Sequence, residues 1–307
     1  MKDKIILLIG SLIILSILFS ACTRGGSEYS IYDTSTGKRI SINRMATKLA
    51  EFDVIIFGEY HDNDVIHRLQ AELLPLLLKN VNDLAISMEM FERDVQIYLN
   101  QYLEGIIEED EFVEKSRAWP NYPTDYRDII EFAREEKIPV IAANVPRRYA
   151  AEVNRYGLRV INEITDVERV YLAEEVIITE DSYKEKFFDT MKTLSHMDIG
   201  NRDELEDQLN NLYAAQSLKD DTMAESIVNL KQRVSEAKII HFVGDFHSRE
   251  RLGLVTKIKE RNPDLKIGTI SPYMTDIDTR FRFRDDFSNI ADFLIVLPVA
   301  EIEYYKE

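Results

Sequence analysis

Short apolar runs rich in Ile and Val recur along this chain, with helix-length amphipathic stretches between them. The runs are VIIFG (54–58), LAISMEM (84–90), IPVIAAN (138–144), IIHFVGD (239–245), KIGTISP (266–272) and FLIVLP (293–298). A strand that is apolar at nearly every position has no face left for water, so it belongs in a mainly parallel sheet covered on both sides. Between the first two runs, Val65, Ile66, Leu69, Leu73, Leu76 and Leu77 recur at helical spacing, with Asn63 or Asp64 placed to cap the helix. Strand and helix in alternation, joined by right-handed crossovers, give an α/β fold: a mainly parallel sheet flanked by helices. One interval breaks the rhythm. From Arg147 to Glu236 helical patterns and charges run on without a convincing strand, far beyond the length of an ordinary crossover. The sequence therefore predicts a helical insertion subdomain (147–236) lying over one end of the sheet, with the α/β domain split into 49–146 and 237–307.

The N-terminus reads as a targeting segment rather than part of the fold. MKDK supplies positive charge, IILLIGSLIILSILF an apolar stretch short of the ~20 residues that span a bilayer, and SAC small residues before the only cysteine. LFSAC resembles a bacterial lipobox with Phe19 where leucine is commoner. The resemblance implies a signal peptide (1–21), cleavage before Cys22 and lipidation of that thiol, followed by a tether and lead-in segment (22–48). The expected location is the bacterial cell envelope, at the outer membrane in a diderm organism, with the lipid as membrane partner. The remainder of the chain has no cysteine, so it must be held by its core rather than by disulfides. At 307 residues and 45% hydrophobic it has enough apolar material for that. A net charge of −17 argues against a nucleic-acid partner.

The strand ends carry the chemistry. VIIFGEYHDND (54–64) and KIIHFVGDFHSRE (238–250) share a pattern: apolar run, glycine, acid, histidine. In open parallel sheets, ligands sit outside the carboxyl ends of strands. The strands should bring Gly58-Glu59-Tyr60-His61, Glu89, Asn144 and Gly244-Asp245-Phe246-His247 to one cleft. Glu59, Glu89 and Asp245 have the chemistry to orient histidines, bind a cation or work as acid and base; Glu59, His61, Glu89 and His247 are the catalytic candidates. Each glycine is expected to let the backbone turn sharply. His67 is expected on a partly exposed helix face and His241 inside the core. In AWPNYPTDYRD (118–128), Trp119, Tyr122 and Tyr126 read as a packed aromatic loop, with Tyr126 and Asp128 within reach of the cleft.

FGEYHDNDVIHRLQAELL, ISMEMFERDVQ, YPTDYRDIIEFAREEKIPVIAANVPR, AAQSLKDDTMAESI and HFVGDFHS, in this order, resemble the ChaN family of haem-binding lipoproteins, part of a superfamily with erythromycin esterases and Tiki-type metalloproteases. The resemblance implies haem held without covalent attachment at the interface of a homodimer, a role in haem or iron acquisition, and an outer-membrane haem receptor as partner. The alternative it carries is a hydrolase working through the strand-end Glu and His residues. Ferric haem suits a phenolate or imidazole ligand. NVPRRYA places Tyr149 directly after Arg147 and Arg148, which are expected to lower the phenol's pKa or pair with propionates. His196 is the preferred histidine of the insertion, as ligand or as partner to a ligating phenolate, and Tyr156, Tyr171, Tyr183 and Tyr213 are rivals to Tyr149.

Overall fold

The computed structural model describes residues 28–195, 202–276 and 281–299. The expected signal peptide, Cys22 and His196 lie outside the described residues. The strands are β1 (Ser30–Asp33), β2 (Lys38–Ile40), β3 (Val54–Glu59), β4 (Leu84–Glu92), β5 (Val140–Asn144), β6 (Lys238–Gly244), β7 (Ile267–Asp276) and β8 (Phe293–Val299). The helices are α1 (Ile42–Leu49), α2 (Asp64–Leu78), α3 (Gln96–Leu103), α4 (Glu109–Lys115), α5 (Arg127–Glu136), α6 (Arg147–Tyr156), α7 (Asp166–Arg169), α8 (Ser182–Ser195), α9 (Arg202–Arg233) and α10 (Leu254–Arg261). They build one sheet, in the order β2-β1-β8-β7-β3-β6-β4-β5, parallel throughout except where β1 pairs with β2 and β8. The α/β class holds, and every apolar run became a strand. β1 and β2 add an antiparallel edge that the sequence had merged into its lead-in segment.

The two faces follow the period of two along each strand. Ile55, Phe57, Ile86, Met88, Ile240 and Phe242 pack beneath α1 to α5. Val54, Ile56, Ala85, Ile239 and Val243 meet Met223, Ala224, Ile227 and Leu230 of α9 and Leu254 and Ile258 of α10. Burying a side chain such as Ile227 completely contributes about 1.5–3 kcal/mol. The amide of Gln96 closes the outer edge of β5, donating to the Val140 carbonyl (2.9 Å) and accepting from the Ala142 N–H (2.7 Å).

The insertion is less separate than its sequence suggested. Helix α9 has 32 residues, about 48 Å at 1.5 Å per residue, whereas a seven-residue strand such as β6 covers only about 23 Å. Its second half is an ordinary sheet-covering helix. Its first half runs past the strand ends and packs against α6 through Tyr149, Val153, Ala214 and Leu218. Arg93, at the end of β4, ties the parts together: its guanidinium donates to Ser226 Oγ (2.8 Å), the Thr222 carbonyl (2.7 Å), the Leu172 carbonyl (3.0 Å) and Glu225 (3.0 Å). Sheet and cap therefore meet within α9, ahead of position 236, because one continuous helix serves both.

Candidate functional site

Strands β3, β6 and β4 are neighbours, and their carboxyl ends bring together Glu59, His61, Glu89, Asp245 and His247. Glu59 points to the α2–α5 side of the sheet and is buried (2% exposed). Its carboxylate accepts from Tyr126 Oη (2.7 Å), Gln70 Nε2 (2.7 Å) and His61 Nδ1 (2.8 Å). Since a carboxylate only accepts, Nδ1 carries the proton and Nε2 of neutral His61 is left as an acceptor. Burial pushes the His61 pKa down, but the bond to Glu59 and the charges of Glu89 and Glu59 outweigh it and leave the value raised. The ring stands at the mouth of the site, edge-on to Trp119 at 5.1 Å.

The other half lies on the α9 side. His247 is buried between two carboxylates, with Nδ1 2.5 Å from Asp220 Oδ1 and Nε2 3.3 Å from Glu89 Oε1. Both neighbours only accept, so both ring nitrogens donate and the ring is an imidazolium. Burial opposes that charge, but Glu89 and Asp220 prevail and the His247 pKa is pushed up to about 10. Burial likewise works against ionised Glu89, yet the charge and hydrogen bond of His247, with His61 and the Gly244 N–H (2.7 Å), hold it well below the usual carboxylate range. Tyr183 Oη donates to the second Asp220 oxygen (2.8 Å), carrying the chain of polar contacts from β4 into the insertion.

The repeated glycine–acid–histidine pattern has a reciprocal explanation. A Cβ on Gly58 would lie 2.5 Å from Asp245 Oδ1, and a Cβ on Gly244 would lie 2.9 Å from His61 Nε2. Each motif's glycine makes room for the other motif's polar side chain. Neither glycine is among those with positive φ, so the expected role in a sharp turn is corrected to close approach. Asp245 itself braces the loop, accepting from Ser271 Oγ (2.5 Å) and Arg249 (2.8 Å), with its pKa raised by burial.

The remaining sequence candidates sort by position. Tyr126 reaches the cleft as expected, lifted by a π-helical turn (Tyr122–Tyr126), whereas Asp128 is exposed. His67 departs from its expected exposed face. It is buried (3% exposed) beside Gln70 (3.2 Å), the His61 carbonyl (3.2 Å) and Asp125 (3.5 Å), because α2 leans that side on the strand-end loop. His241 is in the core as expected, bonded to Ser87 (2.7 Å), and burial drops its pKa to about 3. Asp220 and Gln70 were not singled out from the sequence. Both were signalled as polar residues on apolar helical stripes: Asp220 falls in step with Tyr213, Ala224 and Ile227, and Gln70 with Ile66, Leu73 and Leu77. Among the described residues no group of three or more His, Cys, Asp or Glu side chains is arranged to hold a metal ion.

Tyr149, Arg147 and Arg148 lie at a second place, the corner made by α6, a 3-10 segment (Leu158–Glu163) and α7. There Arg148, Tyr149, Tyr156, Arg159, Val160 and Ile164 help line a cavity of about 810 Å³, together with Glu152, Glu163 and Glu168. Arg148 donates to Tyr149 Oη (3.1 Å) and pairs with Asp94 (2.6 Å). The expected lowering of the phenol's pKa is overturned: burial, with Glu168, outweighs Arg148 and raises it. Arg147 is exposed and outside the cavity. Of the rival tyrosines, Tyr183 and Tyr213 are core residues, Tyr171 is half-buried and Tyr156 is 60% exposed.

A mainly parallel sheet capped by helices beyond its carboxyl ends, with an acid and a histidine at the end of each of the adjacent strands β3 and β6, defines the class of α/β protein. Its fold is that of ChaN from Campylobacter jejuni, with a TM-score of 0.65 at 20% identity over 89% of this chain and 98% of that one. An erythromycin esterase in its open conformation is more distant, with a TM-score of 0.49 at 13% identity over 89% and 97% of the two chains. No curated protein matches the chain. Residues 45–258 match the family described as haem-binding uptake, Tiki superfamily, ChaN, and the chain belongs to that family.

Proposed function

We propose that this protein binds haem at the α6–α7 corner and serves haem or iron acquisition from the cell envelope, anchored through a lipid on Cys22. The observation that carries the reading is the corner cavity, whose lining suits an apolar ring system bearing carboxylates. Val160 and Ile164 offer apolar surface, Arg148 and Arg159 cations, and Tyr149 and Tyr156 phenol oxygens. Bound haem supplies ferric iron, which oxygen and nitrogen donors suit. Three glutamates share the lining, so the arginines that meet propionates are those not cancelled by them. Arg148 is tied to Asp94 and lies near Glu168 (3.9 Å), whereas Arg159 makes no ion pair among the described residues and is the freer partner. The solved ChaN of Campylobacter jejuni is described by its cofacial haem binding. That supports a pair of chains closing over this corner, where Tyr156, Val167 and Val170 are 60%, 80% and 66% exposed. An outer-membrane haem receptor would be the next partner.

A hemin titration of the mature protein tests the reading. A saturable change in the Soret band is expected, altered in position by Tyr149→Phe or Tyr156→Phe and weakened by Arg159→Glu. A spectrum that stays that of free hemin defeats it. Light scattering of the loaded protein should show twice the mass of one chain.

A second reading rests on His61, whose Nδ1 is fixed by Glu59 while Nε2 faces the cleft. This is the geometry of an oriented general base, with Glu59 holding the ring's tautomer. Hydrolysis of an activated ester by the pure protein, abolished in His61→Ala and sharply reduced in Glu59→Gln, would support it; equal rates in all three would end it.

A further inference from the structure

A cavity of about 1000 Å³ opens at the outer edge of β5, with α3 and α5 on one side and the second half of α9 on the other. It lies apart from the strand-end cleft and touches the α6–α7 corner only through Val170 and Tyr171, neither of which lines the corner cavity. Ile138, Val140, Ala142 and Leu230 give it an apolar floor, and Val170 forms a rim that is 66% exposed. The backbone groups of Val140 and Ala142 that an incoming peptide strand would seek are already taken by Gln96, so strand addition does not fit here. Along one wall the lining runs from Glu225 to Val234, which at 1.5 Å per residue is about 14 Å of helix. The space is long, with an apolar floor between walls that carry Asn100, Ser226 and Asn229.

Its charges gather at one end. Lys137 caps α5 three residues before β5 begins, and Arg233 closes α9 where that helix reaches the start of the sheet, so both stand at the amino-terminal end of β5. Neither side chain has an ion-pair or hydrogen-bond partner among the described residues. Arg134, one turn earlier on α5, lies over the Tyr102 ring and 4.0 Å from Glu131. Of the lining acids, Glu225 is engaged by Arg93 (3.0 Å), leaving Glu104 exposed and without an ion-pair partner among the described residues. In a chain of net charge −17, open cations beside an apolar trough select a ligand with the opposite layout.

We propose that this cavity binds a single-chain amphiphile with a carboxylate head, of the fatty-acid class. The acyl chain lies along the β5 floor toward Val170, and the head group meets Lys137 and Arg233. The assignment is independent of haem binding at the α6–α7 corner.

Titration of the mature protein with dansylated undecanoate tests it by fluorescence. One saturable site per chain is expected, emptied by dodecanoate at least about tenfold more effectively than by dodecanol, because the alcohol lacks the charge that the cations meet. Asn229→Trp, on the exposed wall, should fill the trough and weaken binding by more than about tenfold. Lys137→Glu/Arg233→Glu, both at exposed positions, should weaken it by about tenfold and decides the matter if the tryptophan variant does not fold. The hemin spectrum should be the same in Asn229→Trp as in the parent, which separates this site from the haem reading. Absence of a saturable site, equal displacement by the alcohol, or undiminished binding in the folded variants overturns the proposal.

Discussion

At the strand ends Glu59, Glu89, Asp220 and His247 are 2%, 5%, 0% and 6% exposed, and each of their charges is met by a partner. At the α6–α7 corner Tyr156, Arg159 and Val167 stand open around a cavity. The first arrangement fixes charge in place: two carboxylates, from β4 and α9, hold one imidazolium across the seam between sheet and cap. The second holds its charges loosely and leaves apolar surface uncovered, which is what a surface meant to be covered by something else requires. The contrast teaches that buried charge in this molecule joins its parts, while the charge at the corner is left free to be met from outside.

The largest expected effect breaks the pair of regions apart by stability. Removing one member of a buried charge set strands the others, so Asp220→Ala should cost about 3–5 kcal/mol, whereas Arg148→Ala, at a half-exposed pair, should cost less than about 1 kcal/mol. Urea denaturation measures both, and similar losses would erase the distinction. Next come the glycines. A Cβ on Gly58 meets backbone atoms of Asp245 and Ile270 at 3.1 and 3.2 Å as well as a carboxylate, so Gly58→Ala should cost about 1–3 kcal/mol. Gly244→Ala displaces only the movable His61 ring; the expectation is a smaller loss of stability but a shifted His61 titration by NMR.

The pH dependence sharpens the comparison further. The folded His247 pKa of about 10 lies above the ~6.5 of a free imidazole. Its contribution is whole below about pH 6.5 and fades as pH rises through 10. The folded Glu89 pKa is depressed, so its share is whole above the ordinary value of about 4.3 and fades as pH falls. Stability should therefore sag at both extremes, and Asp220→Asn should flatten the alkaline limb. The smallest effect belongs to the corner. Tyr149→Phe removes one hydrogen bond from Arg148 and should change stability by about 0.5–1.5 kcal/mol, with its main consequence in the hemin spectrum.

Much of the fold could be read from sequence because doubly covered strands write themselves as unbroken apolar runs. β1 and β2 escaped because they are short and half-wet, with Lys38 and Arg39 exposed. The strand-end residues were legible for a different reason, since topology alone delivers β3, β4 and β6 to one edge. Partnerships were not. Nothing in the string says that Gly58 serves Asp245 or that α2 leans His67 inward, because those facts depend on how loops from distant segments pack. Asp220 shows the limit well: beside Asp221 in a highly charged helix it looks solvated, and only its step with Tyr213 and Ala224 betrays it. Tyr149 shows the opposite error, where neighbours in sequence suggested an acidic phenol and burial decided otherwise.

The amide of Gln96 occupies the place a ninth strand would take. An open parallel sheet presents a free margin, and a free margin invites another chain to lie down on it. Here a single side chain mimics just enough of a backbone to refuse the invitation. Wherever identical copies meet often, Gln96→Ala should leave the isolated molecule much as it was and turn crowding into fibrous precipitation.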